Sequence, residues 1–335
     1  MVLVIWRWMA RLPVRKGIGE PIVTLVLAAY NERETLVDKL INCLDLDYPP
    51  EKLQIIASLD GSTDGTREIA ERYARRGVEV IYCEQHEGKA AALNRAVAAA
   101  RGELLVFVDT RQRLDRNAIR ALVTNFQDPT VGAAAGELIL LDANLSMEKP
   151  ADDAVGLYWR YEKWLRRLES DIHSSVGASG ALYAIRRSLY QPIKRDTILD
   201  DIAIPMRAVL AGKRLVFESG AKAYDRPACC AQAEFRRKVR TLAGNYQLIC
   251  HMPELLNPRR NPVCIQFVSH KLGRLLVPYW LVTLFISNLF LLKGFYLVFI
   301  GLQASLYLLA LLGAKAIQEP RSVEQPKDFL FSRGE

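Results

Sequence analysis

Residues 54–66 read QIIASLDGSTDGT, an apolar run that ends in an acidic, glycine-rich turn. Polar clusters border three other apolar runs in the same way: Ala29-Tyr30-Asn31-Glu32 after the first, Asp109-Thr110-Arg111-Gln112 after the third, and Asp200-Asp201 before the fourth. In an open α/β sheet, ligands bind outside the carboxyl ends of parallel strands. Acidic residues after three successive strands are therefore predicted to converge on one ligand. This layout is typical of a binding site for a phosphorylated ligand.

The segments between these runs have the periodicity of helices. Apolar residues recur at helical spacing over 36–44 and again over 69–73, and 89–100 is rich in alanine. The run Val78–Cys83 is predicted as a further strand, and residues 62–64 as N-caps of the second helix. Strand–helix alternation of this kind predicts a mostly parallel sheet with helices on both faces, which is an α/β fold.

Composition restricts the possible classes of protein. The chain has 335 residues, half of them apolar, and a formal net charge of +8. This is too apolar for general disorder. A basic balance suits phosphorylated ligands or an anionic membrane, and no nucleic-acid recognition module is present. Neither the six cysteines nor the four scattered histidines have zinc-ligand spacing, so reduced thiols are expected.

Two uncharged segments, 275–292 and 294–314, are each long enough to cross a bilayer as a helix. They predict a C-terminal transmembrane helical hairpin, although two buried soluble helices would have a similar composition. Basic residues flank both segments, which places the flanks in the cytoplasm by the positive-inside rule. The predicted organisation is an N-terminal amphipathic or interfacial segment, a catalytic α/β domain, a second interfacial segment, two transmembrane helices and a polar tail: 1–20, 21–250, 251–274, 275–314 and 315–335.

The first segment contains MVLVIWRWMARL, residues 1–12. Its tryptophans and arginines favour an interfacial helix, and a truncated transmembrane segment would have a similar sequence. No small-residue cleavage site follows it, so it is not expected to be a signal peptide.

Several motifs occur in an order and spacing that resemble a known family. They are AAYNE (28–32), LDGSTDGT (59–66), GKAAALN (88–94), FVD (107–109), GASGALYAIRR (177–187), LDDIAIPMRAVLAGKRLVFE (199–218) and RRKVRTLAGNYQL (236–248). The chain resembles the membrane-associated family 2 glycosyltransferases of the GT-A fold, in the branch that includes cellulose, hyaluronan and poly-N-acetylglucosamine synthases. The resemblance covers nearly the whole chain after residue 20.

This resemblance implies roles for particular residues. It implies an inverting, metal-dependent hexosyltransferase that moves a sugar from a nucleotide diphosphate, with UDP favoured by analogy. Asp109 takes the first position of the DxD motif and is the implied Mg²⁺ or Mn²⁺ ligand. Asp201 takes the final position of the TED motif as general base, with Asp200 before it. The implied donor-binding residues are Ala29, Tyr30, Glu32, Asp60, Lys89, Asp109, Arg111, Arg237 and Arg240.

Two motifs depart from the family pattern. The DxD motif lacks its second carboxylate because Arg111 occupies that position. The QxxRW motif reads RKVRT over 237–241, which keeps Arg240 but has lost the glutamine and the tryptophan. In the processive enzymes that tryptophan stacks under the acceptor sugar, so limited addition or a helper-dependent polymer is favoured here.

The chemistry of the transfer explains why such residues are needed. The acceptor hydroxyl must lose a proton, for which a carboxylate such as Asp201 is suited. Asp200 is the alternative base, and either acid could instead cap a helix beginning near Ile202. The departing pyrophosphate needs positive charge. Arg111 cannot bind a metal, but its guanidinium could hold the diphosphate or orient Asp109, or it could simply face solvent.

Other positions leave alternatives open. Arg237 and Arg240 could contact the diphosphate, a lipid headgroup or only solvent. Gly177, Ser179 and Gly180 form a small-residue turn that could bring backbone close to an acceptor sugar, or be an ordinary tight turn.

The expected function is sugar transfer to a polysaccharide or lipid-linked acceptor hydroxyl at the cytoplasmic face of the inner (plasma) membrane. The expected partners are the nucleotide-sugar donor, that acceptor, the bilayer and export or synthase subunits, with no nucleic acid. The rival hypothesis is a non-catalytic subunit that binds sugar nucleotides within a polysaccharide synthase complex.

Overall fold

The computed structural model describes residues 11–141, 154–226, 231–291 and 293–318. Most of the predicted N-terminal interfacial segment, residues 1–10, lies outside these ranges, and so does most of the predicted polar tail, residues 319–335.

The first half of the chain alternates strands and helices as the sequence predicts. The elements are β1 (Val23–Ala29), α1 (Arg33–Leu44), β2 (Leu53–Asp60), α2 (Thr66–Ala74), β3 (Val78–Cys83), α3 (Lys89–Ala98) and β4 (Leu104–Val108), with a 3₁₀ turn at Pro50–Lys52. The predicted N-cap of α2 is wrong. Gly65, with a left-handed backbone, is the N-cap, while the Asp64 carboxylate accepts from the Thr66 amide one position further along.

The second half is less regular. Its elements are β5 (Arg113–Leu114), α4 (Ala118–Val123), β6 (Val131–Leu140), α5 (Ala154–Ile172), β7 (Tyr183–Arg186), α6 (Asp200–Leu210), β8 (Arg214–Asp225), α7 (Ala231–His251), α8 (Cys264–Phe267), a π-helical turn (Val268–Leu272), α9 (Gly273–Leu289) and α10 (Phe295–Gln318). Short 3₁₀ turns are Thr124–Gln127, Arg187–Leu189 and Pro253–Leu256.

The strands form one eight-stranded mixed sheet in the order β3-β2-β1-β4-β7-β6-β8-β5. The first four strands of the chain are parallel to one another, as predicted. Beyond them, β7 is antiparallel to both β4 and β6, whereas β6 and β8 are parallel. Because β7 lies beside β4, the chain that precedes it returns to the sheet edge where β4 ends.

Both faces of the sheet are covered, which explains the continuous apolar strands. Along β1, Leu25 and Leu27 pack into one core cluster with α1 and α4, while Val26 packs into the other. The second cluster contains α3 and α6 and also Phe267 of α8. The predicted interfacial segment 251–274 therefore contributes to the core under the sheet.

The described residues divide into two compact units. Residues 11–141, 154–226 and 239–275 belong to the first, and 231–238, 276–291 and 293–318 to the second. Two helices are long and apolar enough to cross a membrane, Cys264–Leu289 and Phe295–Lys315. Within the second unit, the Gln303 amide and the Tyr307 hydroxyl donate to the Leu281 carbonyl, so the two helices are hydrogen-bonded to each other.

Leucines in the core and on the surface should differ in their contribution to the free energy of unfolding. Leu105 of β4 is 0% exposed, whereas Leu242 of α7 is 43% exposed. We expect Leu105→Ala to destabilise the protein by about 2–5 kcal/mol, because it removes apolar contacts and leaves a cavity. Leu242→Ala should change the melting temperature in detergent much less, and an equal loss in the two variants would contradict this prediction.

Candidate active site

The carboxyl ends of β1, β2 and β4 lie at one edge of the sheet. The register pairs Ala29 with Leu59 and Leu27 with Val108, so the three strands end nearly level. Asp60 is the last residue of β2, and Asp109 is the first residue after β4. Ala29 itself is buried at the end of β1.

One ammonium group links the acidic clusters at this edge. Lys89, the first residue of α3, donates from Nζ to Asp109 Oδ1 at 2.8 Å and lies 3.2 Å from Asp200 Oδ2. Burial by itself lowers the pKa of the Lys89 ammonium, but Asp200 and Asp109 together raise it well above the ordinary value. Lys89 is therefore charged at any working pH and compensates two carboxylates from distant parts of the sequence.

Asp201 is the next acid on α6 and has a different environment. Burial and the neighbouring Asp200 charge raise the pKa of the Asp201 carboxyl to about 6, against the lowering effect of Lys89 and Lys271. A carboxylate with such a pKa is a better proton acceptor than an ordinary aspartate. Helix α6 begins at Asp200 with Leu199 as its N-cap, and neither acid caps the helix through its side chain.

The predicted small-residue turn lies against these acids. The Ala178 amide donates to the Asp201 carbonyl at 2.9 Å, and a side chain at Gly177 would meet Ile202. A Cβ atom built on Gly180 would lie 3.1 Å from Asp109 Oδ2. Ser179 is partly buried between these two glycines. The sequence Gly177, Ser179, Gly180 thus places backbone beside both acidic clusters.

Asp60 is buried and fully engaged with neighbouring groups. Its carboxylate accepts from the Gly88 amide at 2.7 Å and from Arg95 Nη2 at 2.5 Å, and His86 Nδ1 lies 2.9 Å away. The adjoining Gly61 has a φ of +69°, and a side chain there would overlap the His86 backbone. Asp60 therefore holds the 86–88 loop against the end of β2, directly before Lys89.

Residues 30–32 of the first polar cluster form an exposed surface near Asp60. Tyr30 is 45% exposed, and its ring stacks on His86 with centroids 3.9 Å apart. The Glu32 amide donates to Thr66 Oγ1 at 2.9 Å, and its carboxylate accepts from the Thr35 hydroxyl. The exposed aromatic face is a suitable surface for stacking a planar base.

Arg111 is paired with an acid that the sequence analysis did not identify. Its Nη2 lies 2.5 Å from Oδ2 of Asp225, the buried last residue of β8. Gln112 Nε2 donates to the same oxygen at 3.0 Å, and the Gln112 carbonyl accepts from the buried Lys39 ammonium at 2.7 Å. These contacts fix the 109–112 turn to β8 and α1.

Arg237 and Arg240, the two predicted donor-binding arginines of the motif RRKVRTLAGNYQL (236–248), are on α7. Arg237 belongs to the second unit and forms an ion pair with Glu234 at 2.6 Å. Arg240 belongs to the first unit and is exposed. Among the described residues, no hydrogen bond or ion pair joins Arg240 to the Lys89 cluster.

A divalent metal would find one suitable carboxylate at this site. Within residues 11–141, 154–226, 231–291 and 293–318, no cluster of three His, Cys, Asp or Glu side chains could hold a metal unaided. Mg²⁺ is commonly bound by only one or two carboxylates together with substrate phosphates. The Asp109 side chain is 34% exposed and its carboxylate lies against Gly180, which has no side chain to cover it, so Asp109 fits that kind of shared site.

Sequence reasoning missed four contributors to this site: His86, Arg95, Asp225 and Lys271. His86 and Arg95 flank the GKAAALN motif, and their proximity to a predicted site residue was an available signal. Asp225 lies 114 residues after Arg111, and Lys271 lies 70 residues after Asp201, and no local pattern predicts such pairs.

The mixed sheet, covered by helices on both faces, is a fold of the GT-A type. The sequence profile described as glycosyl transferase family 2 matches residues 24–193, half of the chain. The chain belongs to glycosyl transferase family 2, as the resemblance of its motifs indicated.

Three known proteins are similar to this chain in sequence or in fold. Poly-beta-1,6-N-acetyl-D-glucosamine synthase of Staphylococcus aureus is 26% identical over 232 residues, and the homologous synthase of Staphylococcus epidermidis is 25% identical. The alignment covers 68% of this chain but only 55% of each synthase. A mannosyltransferase from Pyrobaculum calidifontis, solved with GDP-Man and Mn²⁺, aligns over 95% of both chains with a TM-score of 0.61 and 22% identity. That similarity confirms the fold.

The buried pair of Asp60 and Arg95 gives a prediction about stability. We expect Arg95→Leu to destabilise the protein by about 3–5 kcal/mol, because the Asp60 carboxylate, 1% exposed, loses its charged partner. Arg101→Leu breaks an exposed pair with Glu79 and should cost under about 1 kcal/mol. The measurement is thermal unfolding in detergent, and similar losses in both variants would contradict the prediction.

Proposed function

We propose that this glycosyltransferase is inverting and moves a sugar from a nucleotide diphosphate sugar to an acceptor hydroxyl. The observation that carries the proposal is the arrangement of Asp109, Lys89 and Asp200 beside Asp201, a carboxyl with a pKa of about 6. It combines a charged group for a leaving diphosphate with a carboxylate suited to accept a proton.

On the donor side, we assign the end of β2 and its neighbours to the nucleotide. Tyr30 offers an exposed ring for stacking on the base, near Ala29 and Glu32. Asp60 keeps the 86–88 loop in place, so that Lys89 reaches the diphosphate from a fixed position. Arg237 and Arg240 are further proposed contacts of the diphosphate. Their positive charges would add to the stabilisation of the negative charge that develops on the leaving group.

On the acceptor side, Asp201 is the proposed general base. As the acceptor oxygen attacks the anomeric carbon, the bond to the diphosphate breaks and the hydroxyl proton passes to the Asp201 carboxylate. A single displacement of this kind inverts the anomeric configuration. Asp200 already faces Lys89 and is the less suitable base. The turn of Gly177, Ser179 and Gly180 would approach the acceptor sugar with its backbone.

A bound Mg²⁺ or Mn²⁺ would neutralise charge on the leaving diphosphate. Asp109 is its proposed protein ligand. Arg111 would support Asp109 indirectly, because its ion pair with Asp225 fixes the turn that begins at Asp109.

The names of the similar proteins suggest the classes of donor and acceptor. The staphylococcal synthases make a polymer of N-acetylglucosamine by their names, and the solved mannosyltransferase contains GDP-Man and Mn²⁺. We therefore propose a UDP- or GDP-sugar donor and a polysaccharide or lipid-linked acceptor. The two apolar helices support a location in a membrane. We propose that this is the inner membrane, with the catalytic unit in the cytoplasm, and that export or synthase subunits are partners.

The proposed base predicts the pH dependence of the reaction. Transfer requires the ionised Asp201, so turnover should fall about tenfold per unit as pH drops below about 6, and should level off above it. Asp201→Asn should lower turnover by about a hundred- to ten-thousandfold and leave nucleotide binding intact. The measurement is nucleoside diphosphate release from UDP- and GDP-sugars by the detergent-solubilised chain.

Asp200→Asn is the matched control for this prediction. It removes a charge at the adjacent position, and the variant should still lose activity at acidic pH. This loss should begin at a lower pH than in the wild type, because Asp200 raises the pKa of Asp201. Donor binding without release by the wild-type chain, whatever the acceptor, would instead favour a non-catalytic binding subunit.

The support of Asp109 by Arg111 gives a prediction about metal dependence. We expect Arg111→Gln to raise the metal concentration for half-maximal activity by about tenfold, because a loosened turn orients Asp109 less well. Asp225→Asn removes the other half of the ion pair and should have the same effect. An unchanged metal midpoint in both variants, in Mg²⁺ and Mn²⁺ titrations, would rule out this role.

A further inference from the structure

A pair of cations near Asp201 has no role in the function proposed so far. Arg166 lies on α5, and Lys271 lies on the π-helical turn Val268–Leu272. Within the part of the chain that the structure describes, no hydrogen bond or ion pair engages either side chain, and both are partly buried. Charged groups that are partly withdrawn from water usually have a partner.

The helix α5 and the π-helical turn are fastened to each other by ionic contacts. His270 Nδ1 lies 3.1 Å from Oε1 of Glu169, and His270 Nε2 lies 3.5 Å from Oε2 of Glu162. Arg274 also pairs with Glu162. Both glutamates are buried, at 6% and 1% exposure for Glu162 and Glu169. The two elements are therefore held in a fixed relation in the first unit.

This contact determines where Arg166 lies. Residues four and three positions apart on a helix share a face, so Glu162, Arg166 and Glu169 form one row along α5. The two outer members of the row contact His270, which places Arg166 toward the turn that carries Lys271. Lys271 interacts electrostatically with Arg166 and Arg274, which repel its ammonium group, and with Asp201 and Glu162, which attract it.

Lys271 also lies near the proposed general base. Its ammonium group interacts electrostatically with Asp201 and lowers the pKa of that carboxyl. It approaches from α8–α9, whereas Lys89 approaches from α3. The cationic pair therefore belongs to other elements than Lys89, the group assigned to the donor diphosphate, and is available for the acceptor.

We propose that Arg166 and Lys271 bind a phosphate group carried by the acceptor. The inference rests on the proposed function, since it places this phosphate beside the hydroxyl that Asp201 deprotonates. A guanidinium binds phosphate through two parallel hydrogen bonds, and an ammonium adds a point charge. An anion between the two side chains would replace their mutual repulsion with attraction to both.

The sequence favours a lipid as the source of that phosphate. Four residues after Lys271, the uncharged segment 275–292 begins. A lipid phosphate has its charge where its hydrocarbon begins, so a cation just before an apolar helix matches it. A neutral polysaccharide would add no counter-charge for Arg166, and it would leave Lys271 with only its electrostatic interactions with Asp201 and Glu162.

The test measures binding to the full chain in detergent micelles. The probes are undecaprenyl phosphate, the neutral undecaprenol and inorganic phosphate, and UDP is titrated in parallel. We expect tight binding of undecaprenyl phosphate and weak binding of undecaprenol. Arg166→Gln and Lys271→Gln should each weaken binding of the lipid phosphate by about tenfold, as expected for a lost charge-assisted hydrogen bond. Lys271→Arg should restore it in part.

Arg160→Gln is the matched control, because Arg160 is exposed on another face of α5. Equal affinity for undecaprenol and its phosphate, or unchanged affinity in both test variants, would overturn the proposal. Binding of inorganic phosphate alone, lost in both variants, would support the anion site and assign it to a soluble phosphate. UDP binding that is unchanged in the variants shows that they are folded. Failure of every donor to release its nucleoside diphosphate would refute the proposed function without affecting this measurement.

Discussion

The Lys89 ammonium group between Asp109 and Asp200 is the interaction on which the site depends. It joins the start of α3, the end of β4 and the start of α6, which are far apart in the sequence. Without a cation at this point, Asp109, Asp200 and Asp201 would repel one another across a partly buried space. The geometry of the sheet edge and the charge of one lysine therefore have to be established together.

Asp60 fixes the position of Lys89 through the two residues that precede the lysine. The Asp60 carboxylate accepts hydrogen bonds from the Gly88 and Glu87 amides. It also forms an ion pair with Arg95, which lies on α3 after Lys89. A buried carboxylate is costly unless it is paired and hydrogen-bonded, and Asp60 is both. Its rigid contacts set the start of α3, so the lysine is oriented before any ligand binds. Such preorganisation is what electrostatic stabilisation of a leaving group requires.

The parts of this architecture that the sequence predicts are those with a local signal. The strand–helix alternation from 23 to 108 and the polar residues at the strand ends are periodic or adjacent patterns, and the structure has these elements at the predicted positions. The antiparallel β7 has no such signal, because its four residues owe their place to pairing with β4 and β6. The Arg111–Asp225 pair and the position of Lys271 depend on that tertiary arrangement, so only coordinates reveal them.

The charge balance of the site also accounts for the altered DxD motif. Three carboxylates, Asp109, Asp200 and Asp201, interact with two ammonium groups, those of Lys89 and Lys271. A further carboxylate at position 111 would make this cluster more negative, and it would face the buried Asp225. Arginine at that position compensates Asp225 instead. It leaves Asp109 as the carboxylate that we propose as metal ligand. The substitution is therefore coupled to the end of β8, and it leaves the two acids at the start of α6 unchanged.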